Sequence, residues 1–552
     1  GDWIRFDNIA GIGAQLYIED DFYDYGDGVK RETLETTDAN GNVLKRVMTE
    51  KSRIGECDNA VMREVYREET TGRNTVYTQA DYWNDPSHSG RHAQPRLVWG
   101  NARAWVYTDF DEKGHETLRV EQRGNGEIPW DNFPYVVSNV LHNVSPLENA
   151  FVTVKDYSPF DGDDCHADDA AKARQETRYV VVNGNATVIG RTWTRYTRLM
   201  RNGFEAIKKE TWRETGEDSF LTGLTGLGNA NLVNPVNPVK NKLCAYSYEI
   251  IYADTGSGTP LLMRGAVVES LDENGILTEN TYTLEGSVLV QISRKSFNGT
   301  PYQTYTVTEQ DASYGTVLRR SERLSANDET ISDEQSTYDE KNRLRSTTYL
   351  DGTFTTNAYS CCRLLWRQDR EGRKTLRSAK TGTDHLYNAE EDVWLADIST
   401  NGQYRVTQHF FDALGRETNT VVCVGTAPGE AAESDFNRVD RAERVESKTE
   451  YPYGGSDYAV CTDERGKETV SQTDILGDAI ESSETIFTNG VEVLKTKNRT
   501  YFGGGSSMRR EWDGDKWTEE RRFTDYAADG KRIEYVVTES SDCGIVTNSV
   551  ST

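Results

Sequence analysis

The chain has 552 residues, 90 Asp and Glu against 63 Lys and Arg, and a net charge of −27. An acidic balance of this size excludes nucleic acid as a natural partner, because phosphate binding needs a basic patch. Its 29 Tyr and 11 Trp exclude a disordered acidic chain, and no apolar run reaches the ~18–20 residues of a membrane-spanning helix.

Hydrophobic residues make up only 36% of the chain. A globule of this length buries roughly 75% or more of its unfolded surface, so the composition predicts thin sheets with a high ratio of surface to volume. The aromatics then read as half-buried strand residues rather than a thick core.

Residues 1–220 read as an N-terminal β region. Asp27-Gly28, Asn40-Gly41, Asn125-Gly126, Asp161-Gly162, Asn183-Gly184 and Asn202-Gly203 are hairpin dipeptides, which tolerate the positive φ that two-residue turns require. Arg191 to Thr197 is almost wholly β-branched, aromatic or long-chain, a strand composition. Asp168 to Glu176 alone reads as a short helix, with acids at its N-terminus. Residues 221–239, which include Asn234-Pro-Val-Asn-Pro238, predict a linker or long loop. Residues 240–334 predict a β-hairpin region, with turns at Asn274-Gly275 and Asn298-Gly299. Residues 335–552 continue as repeats, with turns at Asp351, Asn401, Asn489, Asp513 and Asp529, a break at Gly425 to Ser434, and a flexible tip at Gly503 to Ser507.

A second turn pattern, Asp-x-x-Gly, begins at Asp38, Asp111, Asp272, Asp369, Asp412, Asp463 and Asp474. The Asp side chain can cap the amides of a type I turn while Gly takes the left-handed position that follows. Its recurrence predicts a repeat architecture, and its unequal spacing favours a wound sheet of long and short hairpins over a strict solenoid. The predicted fold is all-β: repeated antiparallel hairpins forming an extended, curved or shell-like wound sheet.

Few residues suggest chemistry. The eight cysteines, Cys57, Cys165, Cys244, Cys361, Cys362, Cys423, Cys461 and Cys543, form no C-x-x-C pair, so a zinc site has no support. The adjacent Cys361 and Cys362 admit a vicinal disulfide or two free thiols. The histidines are His88, His92, His115, His142, His166, His385 and His409. His88 and His92 are separated by Ser89-Gly90, which spoils a metal-binding helix. Asp161, Asp163, Asp164, Asp168 and Asp169 crowd carboxylates together, but without the Asp-x-Asp-x-Asp-Gly order of a calcium loop. Tyr82 to Trp105 gathers Trp83, Trp99 and Trp105 with Arg91, Arg96 and Arg103, a composition suited to stacking sugars or to plain sheet packing. No nucleophile elbow, zinc-protease motif or phosphate loop is present. Carboxylate pairs for glycoside hydrolysis are always available in so acidic a chain, and only their separation identifies them. No catalytic, cofactor-binding or metal residue is assigned, and no cofactor is expected.

The run Tyr338-Asp339-Glu340-Lys341-Asn342-Arg343-Leu344, then Tyr349-Leu350-Asp351-Gly352-Thr353, Asp369-Arg370-Glu371-Gly372-Arg373 and Phe411-Asp412-Ala413-Leu414-Gly415-Arg416-Glu417, resembles the RHS, or YD-repeat, family. Asn342 stands where Gly is usual, Leu350 replaces a common Pro, and Phe411 replaces Tyr. Cys361-Cys362 also resembles a variant of bacterial members. The resemblance implies a β-sheet strip spiralling into a hollow shell, which in complete bacterial proteins encloses a C-terminal polypeptide, often a toxin, released at a core motif containing Asp-Pro. The one Asp-Pro here, Asp85-Pro86, lies outside any such context, so that protease and cargo are not expected within these residues. The absence of an initial Met and the abrupt Asn-Ser-Val-Ser-Thr end read as boundaries inside a longer protein.

The expected function is a non-catalytic structural segment of a secreted or cell-surface protein, forming part of a shell around another polypeptide. Its partner would be the remainder of its own polypeptide or another protein. A carbohydrate-binding or adhesive module, with polysaccharide as partner, is the alternative, and a polysaccharide-degrading enzyme a weaker one.

Overall fold

In a computed structural model the described residues are 2–6, 15–23, 29–37, 43–55, 60–124, 126–130, 132–138, 140–159, 163, 172–214, 244–253, 261–359, 364–372, 374–379, 390–396, 403–411, 416–426, 439–455, 457–476, 479–502, 506–526, 532–542 and 544–551. Among them the chain is all-β, as its turn signals predict. The regular exception is a single 3-10 turn, Leu261–Met263.

The chain divides into two compact units. One comprises residues 1–154, 178–189 and 377–552; the other comprises 155–177 and 190–376. In the first, each strand from Asp2–Phe6 to Glu116–Gln122 pairs antiparallel with the next. Asn149–Asp156 then closes onto Glu116–Gln122, leaving Tyr135–Val137 and Val140–His142 as a small separate hairpin. The same succession runs from Glu390–Ala396 to Lys516–Tyr526 and on to Gly544–Ser551. In the second unit it runs from Phe204–Glu214 to Leu364–Gln368.

The two turn grammars give two geometries. At Asn202-Gly203 both residues have positive φ (52° and 84°), the type I′ turn that matches strand twist. At Asp272-Glu-Asn-Gly275 only Gly275 is left-handed, and the Asp272 carboxylate accepts the amides of Asn274 (3.0 Å) and Ile276 (2.8 Å). Asn274-Gly275 therefore belongs to the Asp-capped class, although its dipeptide reads as the other. Asp111 and Asp463 cap their turns in the same way. Asp474 does not: it lies inside the strand Glu468–Leu476, whose pairing with Ala479–Thr488 runs on to Leu476. Asp38, Asp412 and the flexible tip at 503–505 lie outside the described residues.

The expected helix Asp168–Glu176 fails at its far end, where Gln175 and Glu176 begin the strand Gln175–Val182. The β-branched run that follows Arg178 prevails over the local acid–alanine pattern; residues 168–171 and the 221–239 segment lie outside the described residues.

Apolar burial is local. One cluster gathers Leu97, Trp105, Tyr107, Leu118, Val120, Phe133, Val152 and their neighbours; a second, in the other unit, gathers Ala206, Ile250, Tyr252, Met263, Val268 and Leu289. Outside them most sheet residues are half-buried, and several of the most deeply buried side chains are charged: Arg174, Glu210, Glu481 and Glu519. The low apolar fraction goes with these small, separate clusters. Aliphatic residues still make up most of what is buried, with aromatic rings and a few paired charges among them.

Candidate functional site

The Tyr82–Trp105 segment packs largely inward. Trp105 is 3% exposed and its indole N–H donates to Gly126 O at 2.8 Å. Trp83 donates to Thr108 O at 3.0 Å, and the guanidiniums of Arg91 and Arg96 lie 4.4 and 5.2 Å from its ring centroid. Arg91 is held in turn by Asp85 (2.9 Å) and Asp109 (3.3 Å), and Arg96 by Asp81 (3.0 Å). Ser87 and then Arg91 hydrogen-bond the Asp85 carboxyl and hold it below the usual carboxylate range. These rings are committed to structure. The exposed aromatic surface lies just beyond, where Trp130, at φ 45° and 54% exposed, meets Trp99 edge-on at 5.5 Å. Tyr135 stacks on His142 nearby.

The other sequence candidates resolve as follows. His88 and His92 sit in one turn after Asp85, and His88 Nδ1 is buried without a hydrogen-bond partner. Of the acidic run, Asp163 is described: it pairs with the buried Arg174 at 2.6 Å and accepts the Tyr196 amide at 2.9 Å, so it is held by protein donors. Among the described residues no group of His, Cys, Asp and Glu forms a metal-binding cluster. Cys461 is a free thiol, while Cys361 and Cys362 lie outside the described residues.

Sequence reading missed the most developed polar surface, on the strands Ala479–Thr488 to Lys516–Tyr526. Register places Glu481 opposite Arg499, Lys497 opposite Arg510, and Arg510 opposite Glu519, all on one face. Lys497 Nζ lies 2.8 Å and Arg499 Nη2 2.6 Å from the Glu481 carboxylate. Glu519, fully buried, accepts from both Arg510 and Arg521. Burial opposes ionisation of Glu481, but hydrogen bonds from Lys497 and Arg499 outweigh it and hold the carboxyl below its ordinary range. Arg510 also covers the ring of Trp517 at 4.7 Å.

The second unit repeats the device. Glu210 receives Arg195, Lys208 (2.9 Å) and the Tyr246 hydroxyl (2.7 Å), and Asp333 takes both sides of the Arg319 fork at 2.8 and 3.0 Å. No single residue type announces these sites. They form because alternate positions of one strand and of its neighbours meet at one register, with partners 2 to 36 residues apart in sequence.

The Tyr-Asp turns interlock in a related way. Asp339 caps the amides of Lys341 and Arg343, both at 2.9 Å, and Asn342 takes the left-handed position at φ 63°. Arg343 returns to Asp339 at 2.7 Å and lies over the ring of Tyr359 at 4.5 Å. One hairpin on, Arg370 meets Asp351 and lies over Tyr349 at 4.1 Å. The Tyr338 hydroxyl donates to Val317 O at 2.8 Å, on the strand immediately before its own.

No protein-family model matches the chain, and no curated protein does. Solved structures do: the crystal structure of TcdB2-TccC3 aligns over 96% of this chain and 34% of its own, at 9% identity and a TM-score of 0.20. The same complex without its hypervariable C-terminal region aligns at 9% identity over 33% of that chain, and TcdB2-TccC3-Cdc42 at 10% identity, each again over 96% of this chain and at a TM-score of 0.20. The chain spans about a third of the length of these solved chains. At that TM-score the likeness carries no argument about function.

Proposed function

We propose that this chain is a non-catalytic structural segment of a secreted or cell-surface protein of the RHS/YD-repeat type. Its sheet would form part of a β wall that encloses or displays another polypeptide. The observation that carries this reading is the Tyr–Asp–Arg clasp between successive hairpins: Arg343 on Asp339 and Tyr359, then Arg370 on Asp351 and Tyr349. Each clasp fastens a turn to its neighbour instead of to a central core, so hairpins can be added laterally without limit. Cross-strand ion pairs such as Lys497 and Arg499 on Glu481 suit the same role, since they stabilise a sheet without a thick core.

The test is protease challenge of a polypeptide encoded in the same reading frame, produced with and without this chain. Protection only in its presence is expected. Equal digestion in both samples overturns the reading.

A second reading, glycan binding, is favoured by one observation: Trp130 holds an exposed indole at a backbone conformation disfavoured for bulky residues, beside Trp99. Binding on a glycan array that is lost in Trp130→Ala would establish it, and an array with no binding would remove it.

A further inference from the structure

The face built by Ala479–Thr488, Val491–Tyr501, Ser507–Asp513 and Lys516–Tyr526 carries a groove of about 380 Å³. Its lining combines the cations Lys497, Arg499, Arg510 and Arg521 with the carboxylates Glu481 and Glu519, beside Tyr501, Met508 and Trp512. The two signs are not equally accessible. The Glu481 side chain is 10% exposed and that of Glu519 0%, whereas Lys497 and Arg499 are 33% and 32% exposed. Arg510 and Arg521 are 33% and 52% exposed. Each acid is sealed beneath two cations; Arg521 also lies 3.7 Å from Glu539, so four cations stand against three carboxylates, two of them buried. The guanidiniums hold five N–H donors apiece in a planar fork suited to carboxylates, more than one buried acid can use. In a chain whose net charge is −27, this surface presents positive charge.

We propose that this groove binds an extended, acidic segment of another polypeptide, the carboxylates on the outward-facing N–H groups of Arg510, Arg521 and Arg499, and apolar side chains against Met508 and Trp512. The proposal deepens the enclosing-wall reading and rests on it, by naming the chemistry of the chain the wall would hold. Charge complementarity selects the occupant. Alternate residues of an extended chain point to the same side, which suits carboxylates spaced along a sheet face. The apolar floor beside the cations favours a peptide over a sulfated sugar.

The experiment is calorimetric titration of the full chain with deca-glutamate, deca-lysine and a heparin tetrasaccharide, repeated on the double variant Lys497→Met with Arg521→Gln. In that variant Glu481 keeps Arg499 and Glu519 keeps Arg510, so neither buried acid is left alone. Deca-glutamate is expected to bind the native chain and to lose about tenfold or more in affinity in the variant, the loss of charge-assisted contacts. Where the variant does not fold, protection of Arg510 and Arg521 from phenylglyoxal by deca-glutamate, read by mass spectrometry on the unaltered protein, decides instead. No binding, equal binding by both proteins, unprotected arginines, or binding of heparin without the peptide each overturns the proposal. None of these outcomes bears on protease protection of an enclosed polypeptide, so the two readings fail separately.

Discussion

Arg73 and Asp457 meet although 384 residues separate them: the Arg73 amide donates to Asp457 Oδ2 at 3.0 Å. The same carboxylate oxygen accepts from the Asn74 amide nitrogen at 3.2 Å, and the Arg73 guanidinium reaches Asp474 at 3.0 Å. Within one unit, a hairpin turn near the start of the chain is thereby pinned to strands near its end. The chain passes close enough here that Gly72, at φ +64°, has no room for a side chain: an added Cβ would overlap the Asp457 carboxylate and stand 2.8 Å from Gly455 Cα.

Asp457→Ala is therefore expected to destabilise by about 1–3 kcal/mol, because it leaves donors on Arg73 and Asn74 unpaired. Gly72→Ala is expected to cost at least about 2 kcal/mol, through both backbone conformation and overlap. Thermal unfolding followed by circular dichroism measures both. An unchanged midpoint for Gly72→Ala would remove this junction from the described packing.

The buried carboxylates predict an asymmetry between partners. Glu519 lies beneath Arg510 and Arg521, with Arg521 half in solvent. Glu519→Ala should cost about 3–5 kcal/mol, since it removes the buried acid that both guanidiniums share. Arg521→Ala should cost under about 1 kcal/mol, in the range of exposed pairs. Denaturant unfolding of the two variants checks the order, and a larger loss for Arg521→Ala contradicts it.

Glu214 gives a pH dependence. Burial pushes its carboxyl up to about 7 from 4.5, and its Oε2 is buried without a hydrogen-bond partner. Between those values the folded state holds the proton more tightly than the unfolded one, so this residue's contribution to stability is present below about pH 4.5 and lost as pH rises through about 7. Glu214→Gln should raise the unfolding midpoint at mildly alkaline pH, with the gain vanishing in acid. A gain of equal size at both ends would contradict the assignment.

At the Tyr-Asp turn, Asn342 occupies the left-handed region at φ 63°. Asn342→Gly should be tolerated, and Asn342→Ala should cost about 1 kcal/mol or slightly more relative to it. Calorimetric melting of the pair resolves the difference.

The hairpins were legible because their determinants are local. Asn202-Gly203 and Asp272 to Gly275 carry their turn geometry within a few residues, and Asn342 could be recognised as a glycine substitute. Asp474 misled, since an Asp-x-x-Gly run can also end a strand; its carboxylate serves Arg73 instead of a turn. The Gln175–Glu176 strand misled for a similar reason, the helix pattern being weaker than the pairing that follows. The charged face around Glu481 and Glu519 was not legible at all. An acid in a strand is buried or exposed according to register, and register is set by partners that local composition does not name. The Trp83 region was recognised as special, but its rings proved inward, and the exposed one, Trp130, lay outside the segment singled out.

The central proposal is that hairpins fastened to their neighbours, and not one solid core, hold this chain together. Small-angle scattering of the purified chain tests it most directly. A compact globule of 552 residues has a radius of gyration of about 24 Å. A wall of hairpins predicts a value clearly above this that does not change with protein concentration, and a measured value near about 24 Å would contradict it.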